Sequence, residues 1–528
     1  MEKKQVQIWM PLFLSLSMIA GVFIGYKMKD GIPGKSFFYM EKRRPIQEIL
    51  DLIENKYVDQ VNLTSITDTA IQALLAKLDP HSTFIPAADL SAVNDDIKGS
   101  FYGIGIEFEI FDDTLNIINV LKDGPGFKAG LLSGDKLMEA NGITLAGKKV
   151  AADSIRKILR GERGSSLQMK ILRNAKVLSV EVKRDIIPLT SVDASYMFDS
   201  ESGYIRLNKF SSQTYREFMM ALEDLNKAGM KKLVLDLRGN GGGVLEEAVE
   251  IADEFLEGDK LITYTEGKHV PRKEFRCRRQ GQFEKGKLIV LADEGSASAS
   301  EVLLGALQDW DRALIVGRRS FGKGLVQEQF DLSDRSALRL TIARYYTPLG
   351  RSIQRSYANG EKAYYDEIVK RYSDGDSMIA DSVQLKGKKV YSTPSGKKLY
   401  GGGGITPDYS IASDTGKIDI ALAKVYAKGT ISRFGYQYFL NHRNIVNEYK
   451  EPALFSKSYQ VTDADWNDFV NIASRDSIRL DSLKQEDKDF LLRSLKASIA
   501  RQLWRNNGYF EVYNESDKTI QKARELLK

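Results

Sequence analysis

Three short apolar runs limit this chain's fold more than any other feature. The first two empty into small residues and then into a helical pattern. Lys232-Leu233-Val234-Leu235-Asp236-Leu237 runs into Arg238-Gly239-Asn240-Gly241-Gly242-Gly243 and a helix from Val244 to Phe255. Leu288-Ile289-Val290-Leu291 runs into Asp293-Glu294-Gly295-Ser296-Ala297-Ser298-Ala299-Ser300-Glu301 and a helix from Val302 to Trp310. A third run, Ala313 to Val316, follows. Apolar runs without polar alternation suit strands buried on both faces. Strands that alternate with helices pair in parallel, so this part of the chain is an α/β layer. The strand at Gly203 to Leu207 and the helix at Thr214 to Ala228 belong to the same series.

The two glycine- and serine-rich turns carry the chemistry. Ser298 and its neighbours sit where a strand turns into a helix, and the free N–H groups that open a helix favour negative charge developing there. That suits a nucleophile. The bland reading is a small-residue loop with a serine cap on the helix. The run Gly239 to Gly243 also presents backbone N–H groups at a helix start, which suits an oxyanion or a phosphate. Phosphate falls behind, because no Gly-Lys-Ser/Thr follows and the glycines lack dinucleotide-binding spacing.

At 528 residues the chain needs three or more units. Its net charge of +6 comes from 77 basic and 71 acidic residues without a long basic tract, so no nucleic-acid partner is expected. The single cysteine, Cys277, excludes an intrachain disulfide and a two-cysteine metal site. Only His81, His269 and His442 could supply an imidazole base.

Residues 1–29 read as an uncleaved signal anchor. Lys3 and Lys4 precede a segment from Gln7 to Tyr26 whose apolar part, about 19 residues, just spans a bilayer. A cleaved signal peptide is the alternative. Lys27, Lys29, Lys35, Lys42, Arg43 and Arg44 outweigh the preceding basic residues, yet the short amino tail places the body outside the cytoplasm, on the periplasmic side of the inner membrane. Residues 40–98 are a helical region, with a helical pattern from Ile46 to Leu78 that Pro80 stops. His81 reads as structural.

Residues 99–187 form a compact unit of short strands with an Asn141-Gly142 turn, a helix near Ser154 to Leu159, and closing strands at Leu167–Leu172 and Val177–Val182. This order resembles a PDZ domain. The loop Gly103-Ile104-Gly105-Ile106 would then offer N–H groups to a free C-terminal carboxylate while the peptide adds as a strand.

Further motifs complete a larger pattern: Leu78 to Phe84, Asp236 to Gly243, Gly295 to Glu301, Lys323 to Gln327, Tyr345 to Gln354, and Gly404 to Asp408. Together they resemble the carboxyl-terminal processing, or tail-specific, serine proteases from about Ile46 to about Asp408. The resemblance implies a multidomain α+β protein with a ClpP/crotonase-like α/β protease core over residues 188–415, following the PDZ-like unit. It makes Ser298 the nucleophile, Lys323 the general base and Gln327 the residue that orients the lysine. The oxyanion hole would combine Ala299 N–H with Gly242 N–H. Ser296 and Ser300 are the alternatives for the nucleophile, and a triad through His269 or His81 stays open.

The chemistry agrees with those roles, since a serine needs a base and a lysine serves only if burial or positive charge lowers its pKa. The chain departs from the family in having Asn240-Gly241-Gly242-Gly243 where Asn-Pro-Gly-Gly is common, and in a polar insertion at 356–400. The extension 416–528 is helical, with a stripe of Leu491, Leu492, Leu495, Ile499 and Leu503 expected to pack on the protease or on a second subunit of a homodimer. The implied activity is endoproteolysis of proteins with free, unstructured C-termini, without metal or organic cofactor. The competing readings are a catalytically silent PDZ adaptor or scaffold, and an acyl-CoA enzyme.

Overall fold

The computed structural model describes residues 3–29, 45–373, 389–412 and 419–528. Lys35, Lys42, Arg43, Arg44, the middle of the 356–400 insertion and the start of the extension near Ile418 lie outside them. Residues 1–71 and 72–528 form two compact units.

The first unit contains the helices Lys3–Lys29 and Pro45–Lys56. Trp9 to Ile24 line the first helix as an exposed apolar run that includes Pro11. Among the described residues no helix is long and apolar enough to cross a membrane, so the expected membrane-spanning helix is not supported. The helical pattern from Ile46 is also interrupted. It resumes at Leu63–Leu75, where the Asn62 side chain accepts the Ser65 N–H at 3.1 Å.

In the second unit, Asp79 organises the turn after Leu78: its Oδ1 accepts the N–H groups of His81 and Ser82, both at 2.8 Å. The turn leads into the strand Thr83–Ile85, which pairs antiparallel with Ala337–Tyr346. The β-rich unit that follows contains a six-stranded sheet with Ile106–Phe111 at one edge and Lys176–Lys183 at the other. Asn141 and Gly142 both take positive φ, 48° and 80°, the conformation a two-residue hairpin turn requires. Leu115, Ile117, Leu137, Leu167 and Ile171 from the sheet bury their side chains with Ile155 and Leu159 of the helix Ala152–Leu159.

The α/β layer is a second six-stranded sheet, in spatial order Val192–Met197, Ser202–Leu207, Lys232–Asp236, Lys287–Ala292, Leu314–Gly317 and Tyr409–Ser410. Only its first pair is antiparallel. The helices Thr214–Lys227, Leu245–Asp253 and Ala299–Asp309 bury Phe218, Ile251 and Leu303 against one face. The last helix, Lys518–Leu527, covers the other with Ile520, Ala523 and Leu527. This two-sided cover explains why the strands lack polar alternation.

The apolar stripe of the extension packs elsewhere than expected. Leu491, Leu495 and Ile499 meet Phe434, Phe455 and Phe469 in a core of the extension's own. The helix that covers the sheet is instead the terminal one, through Ile520, Ala523 and Leu527.

Candidate active site

The turn between Leu291 and Ala299 separates three serines by the fate of their hydroxyls. Ser296 is buried and its Oγ donates to the Leu237 carbonyl at 2.8 Å. Ser300 is buried and its Oγ donates to the Asn240 carbonyl at 2.8 Å. The half-buried Ser298 hydroxyl donates to no acceptor among the described residues. Ser298 also has φ 56° and ψ −115°, a conformation non-glycine residues rarely adopt.

A buried carboxylate holds that conformation. Glu301, three residues into the helix, accepts the Ser298 N–H at 2.9 Å. The same carboxylate accepts Ser320 Oγ–H at 2.5 Å, the Gly322 N–H at 2.7 Å and the Lys323 N–H at 2.8 Å. One side chain therefore fixes the backbones of both Ser298 and Lys323. Burial pushes the Glu301 carboxyl up to about 7, against the pull of these donors. Tyr345, buried beneath the turn, brings its hydroxyl to 3.0 Å from the Ser298 carbonyl and also meets the Lys323 carbonyl.

Lys323 Nζ donates to Gln327 Oε1 at 2.9 Å, and Gln327 Nε2 donates to the His81 carbonyl. Burial, then the charge of Arg339, holds the lysine below its ordinary pKa, while Glu301 and Asp79 pull the other way. His81 is held neutral, with its pKa lowered to about 4 by burial and then by Lys323. Its Nε2 lies 2.9 Å from the Tyr364 hydroxyl. Tyr364 comes from the helix Glu361–Ser373, so the polar insertion supplies part of the site's support.

Gly242 is pressed against the serine turn at φ 93°. A Cβ there would stand 2.6 Å from the Ala297 carbonyl oxygen and 2.8 Å from the Ala299 nitrogen. No other residue fits without moving that turn. The Ala299 N–H has no partner among the described residues, whereas the Gly242 N–H donates to Asn240 Oδ1 at 2.9 Å. In the second candidate region, the carbonyls of Ile104 and Gly105 accept the amides of Gly126 and Leu121, at 2.7 and 2.8 Å. The amides of Ile104 and Gly105 donate to nothing among the described residues. Gly103 closes the preceding strand and Ile106 opens the edge strand.

The chain is 32% identical over 364 residues to a carboxy-terminal-processing protease of Bartonella bacilliformis, covering 67% of this chain and 82% of that one. The chain belongs to the carboxy-terminal-processing serine proteases. Residues 201–360 of the protease match Peptidase family S41, residues 103–183 match the PDZ domain, and residues 421–506 match a family of unknown function (DUF8443). The carboxy-terminal processing protease CtpB of Bacillus subtilis is 35% identical over 59% of this chain and 65% of that one. Among solved structures, a photosystem II D1 C-terminal processing protease is 30% identical, covers 58% of this chain and 83% of that one, and superposes with a TM-score of 0.33.

Glu301, Tyr345 and Tyr364 are absent from the residues that sequence reasoning placed in the protease's site. A signal for Glu301 existed: a serine followed three residues later by glutamate is a capping-box pattern. Tyr345 opens the motif from Tyr345 to Gln354 but its contact with the serine turn is tertiary, and Tyr364 arrives by tertiary contact alone.

Proposed function

We propose that this serine protease cleaves by a Ser298–Lys323 dyad. Ser298 Oγ attacks the scissile carbonyl carbon and its proton passes to Lys323 Nζ. The leaving amine takes that proton as the C–N bond breaks, which leaves an ester at Ser298. Water then attacks the ester, again with Lys323 as base, and Ser298 is released. Gln327 orients the amine and the His81 carbonyl anchors Gln327.

The observation that carries this reading is that, of the three serines, only Ser298 has a hydroxyl that donates to no acceptor among the described residues, on a turn fixed through Glu301 to the backbone of Lys323. The oxyanion would be met by the Ala299 N–H and by Gly242, whose N–H must first leave Asn240 Oδ1. His81 is neutral and its Nε2 meets the Tyr364 hydroxyl rather than a serine hydroxyl, which weighs against a histidine base.

The open amides of Ile104 and Gly105 support capture of a substrate's free C-terminal carboxylate, with the peptide extending along the edge strand Ile106–Phe111. Attachment of the Lys3–Lys29 helix to the cytoplasmic membrane, with the body outside the cytoplasm, is supported by the exposed run from Trp9 to Ile24. Carbonate extraction of membranes tests it, and release of the full chain into the soluble fraction rejects it.

The catalytic reading is tested with the full chain and an unfolded protein that ends in an apolar residue with a free carboxylate. Fragments are expected from the wild type, none from Ser298→Ala or Lys323→Ala, and fewer after amidation of the substrate's C-terminus. Binding without cleavage by the wild type would favour an adaptor.

A further inference from the structure

The amides that would meet a substrate's carboxylate open into a cavity of about 360 Å³, large enough for the last two or three residues of a chain. Only part of its wall is the PDZ domain. On one side stand Ile104, Gly105 and Glu107 of the loop and edge strand, with Leu159 of the neighbouring helix. On the other stand Arg501 and Arg505 of the long helix Gln485–Tyr513, within the region of unassigned function.

That second wall is docked on the PDZ domain. Tyr436 of the helix Thr430–Asn441 buries its ring with Phe111 and Ile118, and Arg433 lies over the Phe111 ring at 5.0 Å and pairs with Asp112 at 3.3 Å. The long helix is broken where it meets the groove. Trp504 and Arg505 leave helical geometry, and Arg505, at φ 59° and ψ −145°, pairs with Glu107 of the edge strand. A non-glycine residue held in that conformation needs surroundings that enforce it. Here the enforced result is a cationic wall at a fixed distance from the strand edge.

The cavity's charge has a sign. Four arginines line it against two glutamates. Arg505 is spent on Glu107, Arg156 pairs with Asp153 at 2.6 Å, and Arg160 lies over the Phe101 ring at 4.2 Å. Arg501 is exposed and has no ion pair among the described residues, although its charge reaches Glu109. The floor is apolar at Ile104 and Leu159.

We infer that the helical C-terminal region completes the tail-binding groove, and that Arg501 selects free C-termini with an apolar last residue and an acidic side chain a few residues before it. This rests on the carboxylate-capture reading above. The apolar residue fills the floor, the carboxylate meets the loop amides, and the acidic side chain pairs with Arg501 across the groove.

The test is fluorescence anisotropy with the full chain carrying Ser298→Ala, so that nothing is cut. The probes are three short peptides with the same apolar last residue and aspartate, asparagine or lysine upstream, each with a free or amidated terminus. The aspartate peptide should bind about fivefold more tightly than the asparagine peptide, the size expected of a partly exposed ion pair, and the gap should shrink in high salt. Arg501→Gln should erase the gap, and Arg501→Glu should reverse it in favour of the lysine peptide. Free peptides that bind better than amidated ones but regardless of upstream charge would overturn this inference alone. Equal binding of free and amidated peptides, or no binding, would overturn it together with carboxylate capture.

Discussion

Ser298 and Arg505 occupy nearly the same corner of backbone space, φ 56°, ψ −115° and φ 59°, ψ −145°, and neither is glycine. Their surroundings differ. Ser298 is gripped from the buried side by Glu301 and Tyr345 within the protease core. Arg505 is held by one partly exposed ion pair at the seam between the PDZ domain and the helical extension. Strain costs on the order of 1–3 kcal/mol at either place. At the serine turn it is over-determined and the geometry is rigid. At the groove it hangs on a contact that solvent and salt can loosen.

The largest effects should come from breaking the rigid end. Ser298→Ala and Lys323→Ala should each lower kcat/KM by at least about 10³-fold, and the double variant should be no worse than either, because the pair acts as one unit. Steady-state cleavage of a single substrate measures all three.

Glu301→Gln is next. It turns an amide group toward donors that met a carboxylate, leaving at least one of them without an acceptor, at about 1–3 kcal/mol each. Thermal unfolding should show the loss. Since Glu301 titrates near 7 folded against 4.5 ordinarily, the folded state binds its proton more tightly. Its stabilising share is therefore complete below about 4.5 and declines as pH rises to about 7, and Glu301→Gln should remove that slope.

The pH profile sharpens the lysine's part. Activity should rise with pH as Lys323 loses its proton. Arg339→Gln removes a charge that holds the lysine's pKa down, so the acid limb should move to higher pH without a comparable change in KM.

The smallest effect should lie at the loose end. Arg505→Gly relieves the strain but loses the pair, for a net change within about 1 kcal/mol, whereas Arg505→Ala loses the pair and keeps the strain. Unfolding midpoints should therefore place the glycine variant at or above the alanine variant. The reverse order would mean that the conformation at Arg505 carries no strain.

The same contrast explains what could be read in advance. The turn around Ser298, the run from Lys323 to Gln327 and the loop from Gly103 to Ile106 could be placed in advance because strands, tight turns and helices are local patterns, whereas the roles of Ser298, Lys323 and Gln327 came from the family resemblance alone. The helix was expected to start at Val302, but it starts at Ala299, which moved Glu301 from an apparent loop into the first turn. His81 and Tyr364 meet across 283 positions, a separation no local pattern records. The extension's stripe was visible, yet its partner was misjudged, because Leu491 and Leu495 find other helices of the extension first. The break at Trp504 and Arg505 has no proline to announce it.

The most direct measurement uses a fluorophosphonate, which phosphonylates an activated serine, followed by peptide mapping by mass spectrometry. The adduct should lie on Ser298 in the wild-type protein and be absent from Lys323→Ala. An adduct on Ser296 or Ser300, or undiminished labelling of Ser298 without the lysine, would contradict the dyad.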